Sequence, residues 1–251
     1  MLKKRLIVVL ILRDGKVIQS VRFKHTNVIH WNPSIAVEFF DKWAADEIVV
    51  LDVSRNKNNR KLFYEVVSNL SKKCFVPLTV GGWIDGVEET RKVLRLGADK
   101  IAINTKAVIN PEIISQLAEV FGSQCVVVSV DVKKHDGEYE VYINRGSEPT
   151  GLLPFNWAKK AQKSGAGEIF LNCIDRDGAR EGFDLDLLRK VVESVEIPVI
   201  AMGGVFTWQH LVDGIIKGKA DAVAAANIFH YTEHSAKKAK EFMKQAGIDM
   251  R

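Results

Sequence analysis

The chain has 251 residues, with 36 Lys and Arg against 31 Asp and Glu, for a net charge of +5. A composition of 47% hydrophobic and 27% charged residues excludes a disordered chain, and 18 Gly with 6 Pro exclude a collagen-like or loop-dominated one. The small positive excess is spread along the sequence, which suits anionic small molecules better than a nucleic-acid groove.

The opening segment MLKKRLIVVLIL has a basic tip and an apolar run, as a signal peptide has. Arg13-Asp14-Gly15 follows at once, without a small-residue cleavage site, and the run is far too short to span a bilayer. It therefore reads as a buried first strand, and no membrane association is expected. Cys74, Cys125 and Cys173 form no CxxC motif and are odd in number, so a disulfide framework is not expected and a reducing cytoplasm is.

Short apolar runs follow at Leu6–Leu10, Ile48–Leu51, Val76–Val80, Ile101–Ile103, Val126–Val130, Ile169–Leu171, Pro198–Ala201 and Ala222–Ala225. They are apolar on both faces, as strands of a covered parallel sheet must be. Helical patterns lie between them, at 34–45, 60–73, 86–96, 111–120, 155–164, 184–194, 207–217 and 234–246. Asn-Pro at 32–33 and 110–111 marks helix starts, and Gly97, Gly165 and Gly218 mark helix ends. Eight alternations fit a (β/α)8 barrel, for which about 250 residues is usual, or an open doubly wound sheet.

An internal repeat favours the barrel. Asp46-Glu47-Ile48 matches Gly167-Glu168-Ile169 at an offset of 167 − 46 = 121. Asp14-Gly15-Lys16-Val17, Thr79 to Gly82 and Ala98-Asp99 match Asp136-Gly137-Glu138-Tyr139, Ala201 to Gly204 and Ala220-Asp221, all at 122. The expected architecture is one TIM barrel domain over 1–251, made of half-barrels at roughly 1–122 and 123–251. The connection from about 132 to 152 is long, and Tyr139–Tyr142 alternates like a hairpin strand; it reads as a functional loop or a surface hairpin.

In such a barrel the site lies at the C-terminal strand ends. Gly81-Gly82 beside Asn104-Thr105, and Gly203-Gly204 beside Ala226-Asn227, form two candidate phosphate cradles. Glycine lets amides approach an anion, or merely permits a tight turn. Two such cradles suit a ligand with a phosphate at each end. Asp131 ends the fifth strand and is a candidate general acid or base. Its half-chain partner at 131 − 120 = 11 is Ile11, which has no titratable proton. Asp177, followed by Gly178, is a further candidate, or a loop-capping residue. The six histidines show no metal-ligand spacing, so neither a metal nor another cofactor is expected. At the strand starts, Arg5, Glu47, Lys100 and Glu168 predict a neutral ring of two cations and two anions, read from the residues alone as an ion network.

Ala98-Asp99-Lys100 through Asn104-Thr105, Phe121-Gly122-Ser123-Gln124, Gly167-Glu168-Ile169, Asp175-Arg176-Asp177-Gly178 and Asp221 through Phe229-His230 resemble the cyclase subunit family of imidazole glycerol phosphate synthase, HisF. The resemblance covers essentially the whole chain. It implies a HisH-type glutaminase docked on the N-terminal face and ammonia passing through the barrel to a phosphoribosyl substrate. It makes Arg5, Glu47, Lys100 and Glu168 the ammonia gate, and it assigns Asp99 to coupling with the glutaminase. It places phosphate at Gly82, Asn104, Thr105, Asp177, Gly178, Gly204, Ala226 and Asn227. The family's two catalytic aspartates fall on Ile11 and Asp131, its substrate lysine on Gln19, the third glycine of a Gly-Gly-Gly on Trp83, and a phosphate-site serine on Asn227. An intact conduit end with an altered catalytic end resembles the WbuZ-type branch of surface-polysaccharide synthesis. There the partners are a glutaminase and an N-acetyl sugar amidotransferase, and the product is an acetamidino sugar. The alternative is a working cyclase of histidine biosynthesis.

Overall fold

A computed structural model describes residues 3–42, 44–230 and 235–251. Twelve strands form one sheet among the described residues. Eight of them close the barrel: β1 (Arg5–Arg13), β4 (Glu47–Asp52), β5 (Leu78–Gly81), β6 (Lys100–Ile103), β7 (Val126–His135), β10 (Glu168–Cys173), β11 (Val199–Met202) and β12 (Ala222–Ala225). Each pairs in parallel with the next, β12 pairs β1, and β7 pairs β10, so no edge remains in the ring.

Helices cover the outside: α1 (Pro33–Lys42), α2 (Arg60–Ser71), α3 (Val87–Arg95), α4 (Thr105–Ile109), α5 (Glu112–Phe121), α6 (Pro154–Lys163), α7 (Leu185–Val192), α8 (Trp208–Ile216) and α9 (Ala236–Gln245). Their limits agree with the predicted segments to within a turn. The short α4, which follows β6 directly, was not expected, and residue 234 of the last predicted helix lies outside the described residues.

Successive strand residues face opposite ways, which divides the core in two. Leu6, Val8, Leu10 and Leu12 pack outward in one cluster with Val37, Phe63 and Val67 of the helices. Ile7, Val9 and Ile11 point into the lumen with Val49, Val127, Phe170, Ile200, Ala222 and Ala224. That lumen is apolar and rich in small side chains.

The register tests the repeat. Ile7 lies opposite Glu47, and Val127 lies opposite Glu168. Thus β1 maps onto β7 at 127 − 7 = 120, and β4 onto β10 at 168 − 47 = 121. The turns at Asp14-Gly15 and Asp136-Gly137 each close a two-residue hairpin with both residues at positive φ, as Asp-Gly permits. They map at 122 because the second arm is two residues longer. Two is the period of a strand, so inward residues stay inward.

One expectation needs correction. The glycine equivalence moves by one residue: Ile48 pairs Leu78, and Ile169 pairs Val199, an offset of 199 − 78 = 121. Gly82 (φ 104°) therefore corresponds to Gly203 (φ 105°), and Trp83 (φ 58°) to Gly204 (φ 95°). The segment after the first strand forms β2 (Lys16–Val21) and β3 (His25–His30), a hairpin continuing β1. The long connection in the second half does the same, with β8 (Glu138–Ile143) and the two-residue β9 (Glu148–Pro149). Both hairpins rise over the C-terminal mouth.

Candidate functional site

Four charges cross the N-terminal end of the lumen. Arg5 Nη1 lies 2.9 Å from Glu47 Oε2 and 3.1 Å from Glu168 Oε1. Lys100 Nζ lies 3.0 Å from Glu47 Oε2 and 3.1 Å from Glu168 Oε1. Cation and anion alternate around a closed ring, and Thr79 donates its hydroxyl proton to Glu47 Oε1 at 2.7 Å. Burial alone would lower the Arg5 pKa; the charges of Glu168 and Glu47 outweigh it and raise the value. The glutamates are repeat partners. The cations both come from the first half, since the register sets Lys100 against Ala222 at an offset of 122.

Asp99 lies at the same end and is exposed. Its Oδ2 accepts the backbone N–H of Leu78 at 2.8 Å. Asp46 does the same for Leu6 and Asp221 for Val199, at 2.8 and 3.1 Å. All three carboxylates satisfy an N–H at the start of a barrel strand, the first of β5 and β11 and the second of β1, so Asp99 has a structural task besides the interface task that the resemblance implies.

At the mouth, Asp131 is buried near the end of the barrel portion of β7, and Ser129 donates to its Oδ1 at 3.3 Å. Burial pushes its pKa up to about 7; the Ser129 hydrogen bond opposes the rise, the charge of Asp177 adds to it, and the Asn172 hydrogen bond opposes it. Such a group both takes and gives a proton near neutrality. Ile11 holds the equivalent place on β1 and is 6% exposed. One half of the mouth offers a proton-transfer group and the other an inert side chain.

Raising a carboxyl pKa on folding means that the folded state binds the proton more tightly. The resulting stabilisation is full below the unfolded value of about 3.9 and is lost as pH rises through the folded value. We therefore expect wild type to lose stability relative to Asp131→Asn between about pH 4 and pH 8. Urea midpoints across that range check it, and parallel curves would refute the burial of a titrating Asp131.

The two candidate cradles differ. In the cavity of about 230 Å³ by β11 and β12, Gly203 and Gly204 meet Asp177, Gly178, Ala226 and Asn227. A Cβ on Gly204 would lie 2.2 Å from the Gly182 carbonyl oxygen, so close backbone approach already requires this glycine. Asn227 donates its amide to the Ser20 carbonyl at 3.1 Å. Asp177 is a latch: its Oδ2 accepts from Ser20 Oγ at 2.7 Å and from Phe23 N–H at 3.3 Å, tying the β2–β3 hairpin over the mouth. Burial raises its pKa, while these hydrogen bonds lower it.

By β5 and β6 a larger cavity of about 460 Å³ holds Gly82, Asn104, Thr105, Ile11 and Asp131. Its Asn104 and Thr105 side chains are engaged internally. Thr105 Oγ1 donates to Asn104 Oδ1 and accepts from Asn144 N–H, at 3.2 and 3.0 Å. Asn104 Nδ2 donates to the Ser129 carbonyl at 3.1 Å. Trp83 stands where the other half has Gly204, held in the left-handed region at φ 58°, and its indole donates to Asp52 Oδ1 at 3.2 Å. A bulky residue at positive φ is a strained choice that the surroundings must enforce. Sequence reasoning missed Arg13, Arg55 and Arg145 beside this cavity, although Arg13 was visible in the Arg-Asp-Gly turn.

No group of three metal-type ligands comes together among the described residues, of which His234 is not one. No described helix is long and apolar enough to cross a membrane. The three cysteines are free.

Residues 5–235 match the family described as histidine biosynthesis protein. Across 100% of both chains the sequence is 46% identical to the imidazole glycerol phosphate synthase subunit HisF of Chlorobium luteolum. It is likewise 46% identical, again across 100% of both chains, to the proteins of that name from Pelodictyon phaeoclathratiforme and Chlorobium phaeovibrioides.

Proposed function

The chain belongs to the HisF family of histidine biosynthesis proteins, and from this we propose that it is the barrel subunit of a glutamine-dependent synthase, fed with ammonia by a HisH-type glutaminase. The glutaminase docks on the face bearing Arg5, Glu47, Lys100, Glu168 and Asp99. The closed ring carries this reading: its hydrogen-bonded charges plug one end of an apolar lumen, and a small neutral molecule passes once they part. The complex works in the cytoplasm.

Ile11 shapes the reading of the mouth. Ring closure on a phosphoribosyl substrate calls for proton transfers at two places, and the mouth supplies Asp131 alone from the equivalent pair. The ammonia then serves a different acceptor: an N-acetyl sugar held by a separate amidotransferase, in the manner of the WbuZ-type branch. The second reading, a working cyclase/lyase of histidine biosynthesis, is favoured by Asp131 itself, poised at about 7. The relatives bear the name of a subunit of imidazole glycerol phosphate synthase, which also supports it.

Mixing the purified chain with a HisH-type glutaminase should give a heterodimer in sedimentation, with glutaminase turnover raised by the barrel. Charge reversal at Asp99 should weaken coupling. If the wild-type chain neither binds nor activates such a glutaminase, the ammonia-receiving role fails. Normal cyclase turnover with ammonium salts would establish the second reading.

A further inference from the structure

Three buried side-chain atoms among the described residues have no hydrogen-bond partner: Trp157 Nε1, Asn172 Oδ1 and Asn227 Oδ1. Trp157 belongs to the outer core on α6, and Asn227 gives its amide to the Ser20 carbonyl. Asn172 stands in the floor of the mouth. It lies on β10 directly opposite Asp131 on β7, and both line the cavity by β5 and β6. Phe170, two residues earlier on β10, points into the lumen, so Asn172 faces inward as well.

Asn172 is 3% exposed, and its Oδ1 turns toward β11, where a Cβ on Gly203 would come within 3.4 Å of it. A buried acceptor without a donor carries its full desolvation penalty, which an apolar residue of similar size would avoid. The compensation lies at the other end of the amide, which donates to the Asp131 carboxyl. Ser129, two residues earlier on β7, donates to Asp131 Oδ1. The carboxyl is thus gripped from its own strand and from the adjacent one. Both donors favour the ionised form, against burial and the charge of Asp177, which favour the neutral one. Of the other titratable groups nearby, Tyr142 lies opposite Asp131 on β8, and the Cys173 thiol, next on β10, is pushed up to about 12 by burial and stays neutral. The remaining charges lining the cavity are Arg13, Asp52, Arg55, Asp85, Lys106 and Arg145.

We propose that Asn172 is a positioning residue for Asp131: its amide N–H steadies the carboxylate form and fixes it at the floor of the mouth, and the unpaired oxygen is the cost of that grip. Without the amide, Asp131 keeps its proton to higher pH and serves less well as a base. The inference rests on the proposed function only in taking Asp131 as the group that exchanges protons with a ligand. Its test follows the Asp131 proton without turnover, so failure of the synthase reading leaves it standing.

Carboxyl carbon NMR of the full chain labelled at aspartate provides the test, with the Asp131 resonance assigned by its loss in Asp131→Asn. In Asn172→Val the Asp131 midpoint should rise by about 1–2 pH units, the scale of a hydrogen bond to a charged group. Asn172→Thr has the shape of the valine variant and restores a hydroxyl donor, so its midpoint should rise less. A higher folded-state midpoint binds the proton more tightly, so the stability of Asn172→Val relative to wild type should fall as pH rises from about 6 to 9. That fall should vanish in the Asp131→Asn background. Urea midpoints measure it, and Asn172→Ala gives the same two readouts if the valine variant does not fold. The proposal is overturned if Asp131 titrates in Asn172→Val and Asn172→Ala at the wild-type midpoint or below. It is also overturned if the loss of stability is the same at every pH, which is what a merely structural amide would give.

Discussion

Ile11→Asp should raise ammonium-dependent cyclase turnover by roughly 10²–10⁴-fold over the wild type, the range attributed to a positioned general acid or base. The position is suited to the change. Ile11 is inward, buried, and equivalent through the register of β1 and β7 to Asp131. The new carboxyl would enter a mouth that already contains a carboxyl with a pKa of about 7. Two such groups titrate as a pair, so activity should follow a bell-shaped pH profile whose limbs belong to the pair. Steady-state assays of both proteins with ammonium salts measure this directly. A wild type that turns over normally would show that one aspartate suffices here. A variant that folds and gains nothing would show that other mouth residues, with Gln19 and Trp83 foremost, also hold the reaction back.

Glu47→Ala should destabilise the barrel by about 3–5 kcal/mol, the usual cost of removing one partner from a buried ion pair. Glu47 is 1% exposed and binds Arg5, Lys100 and Thr79, so its loss strands two cations at the end of an apolar lumen. Glu168 remains, but it cannot take over Glu47's contacts while keeping its own. Glu47→Gln should cost less, because its amide oxygen still accepts from Thr79. Urea unfolding of the three proteins at one pH decides the matter. A loss below about 1 kcal/mol would place the ring with ordinary surface ion pairs.

Much of this molecule can be read from its sequence because local physics fixes it. Short apolar runs on both faces suit covered parallel strands, and eight of them alternating with amphipathic helices closed as expected. Asp14-Gly15 and Asp136-Gly137 specify tight turns through backbone sterics alone. Glu47 and Glu168 at matched strand starts face one lumen, because strand starts in a barrel lie at one end. Tertiary structure decided the remainder. A one-residue difference in register pairs Trp83 with Gly204, and sequence matching slid past it because Gly-Gly aligns with Gly-Gly equally well. The pairing depends on hydrogen bonds between strands, which leave no mark in local sequence. Asp177 and Asp99 were legible as residues but not as partners: one latches a hairpin and the other satisfies a strand N–H. Arg13, Arg55 and Arg145 are separated by 42 and 90 positions in the chain. Only barrel closure, which sets β1, the end of β4 and the β8 turn around one mouth, brings their charges together.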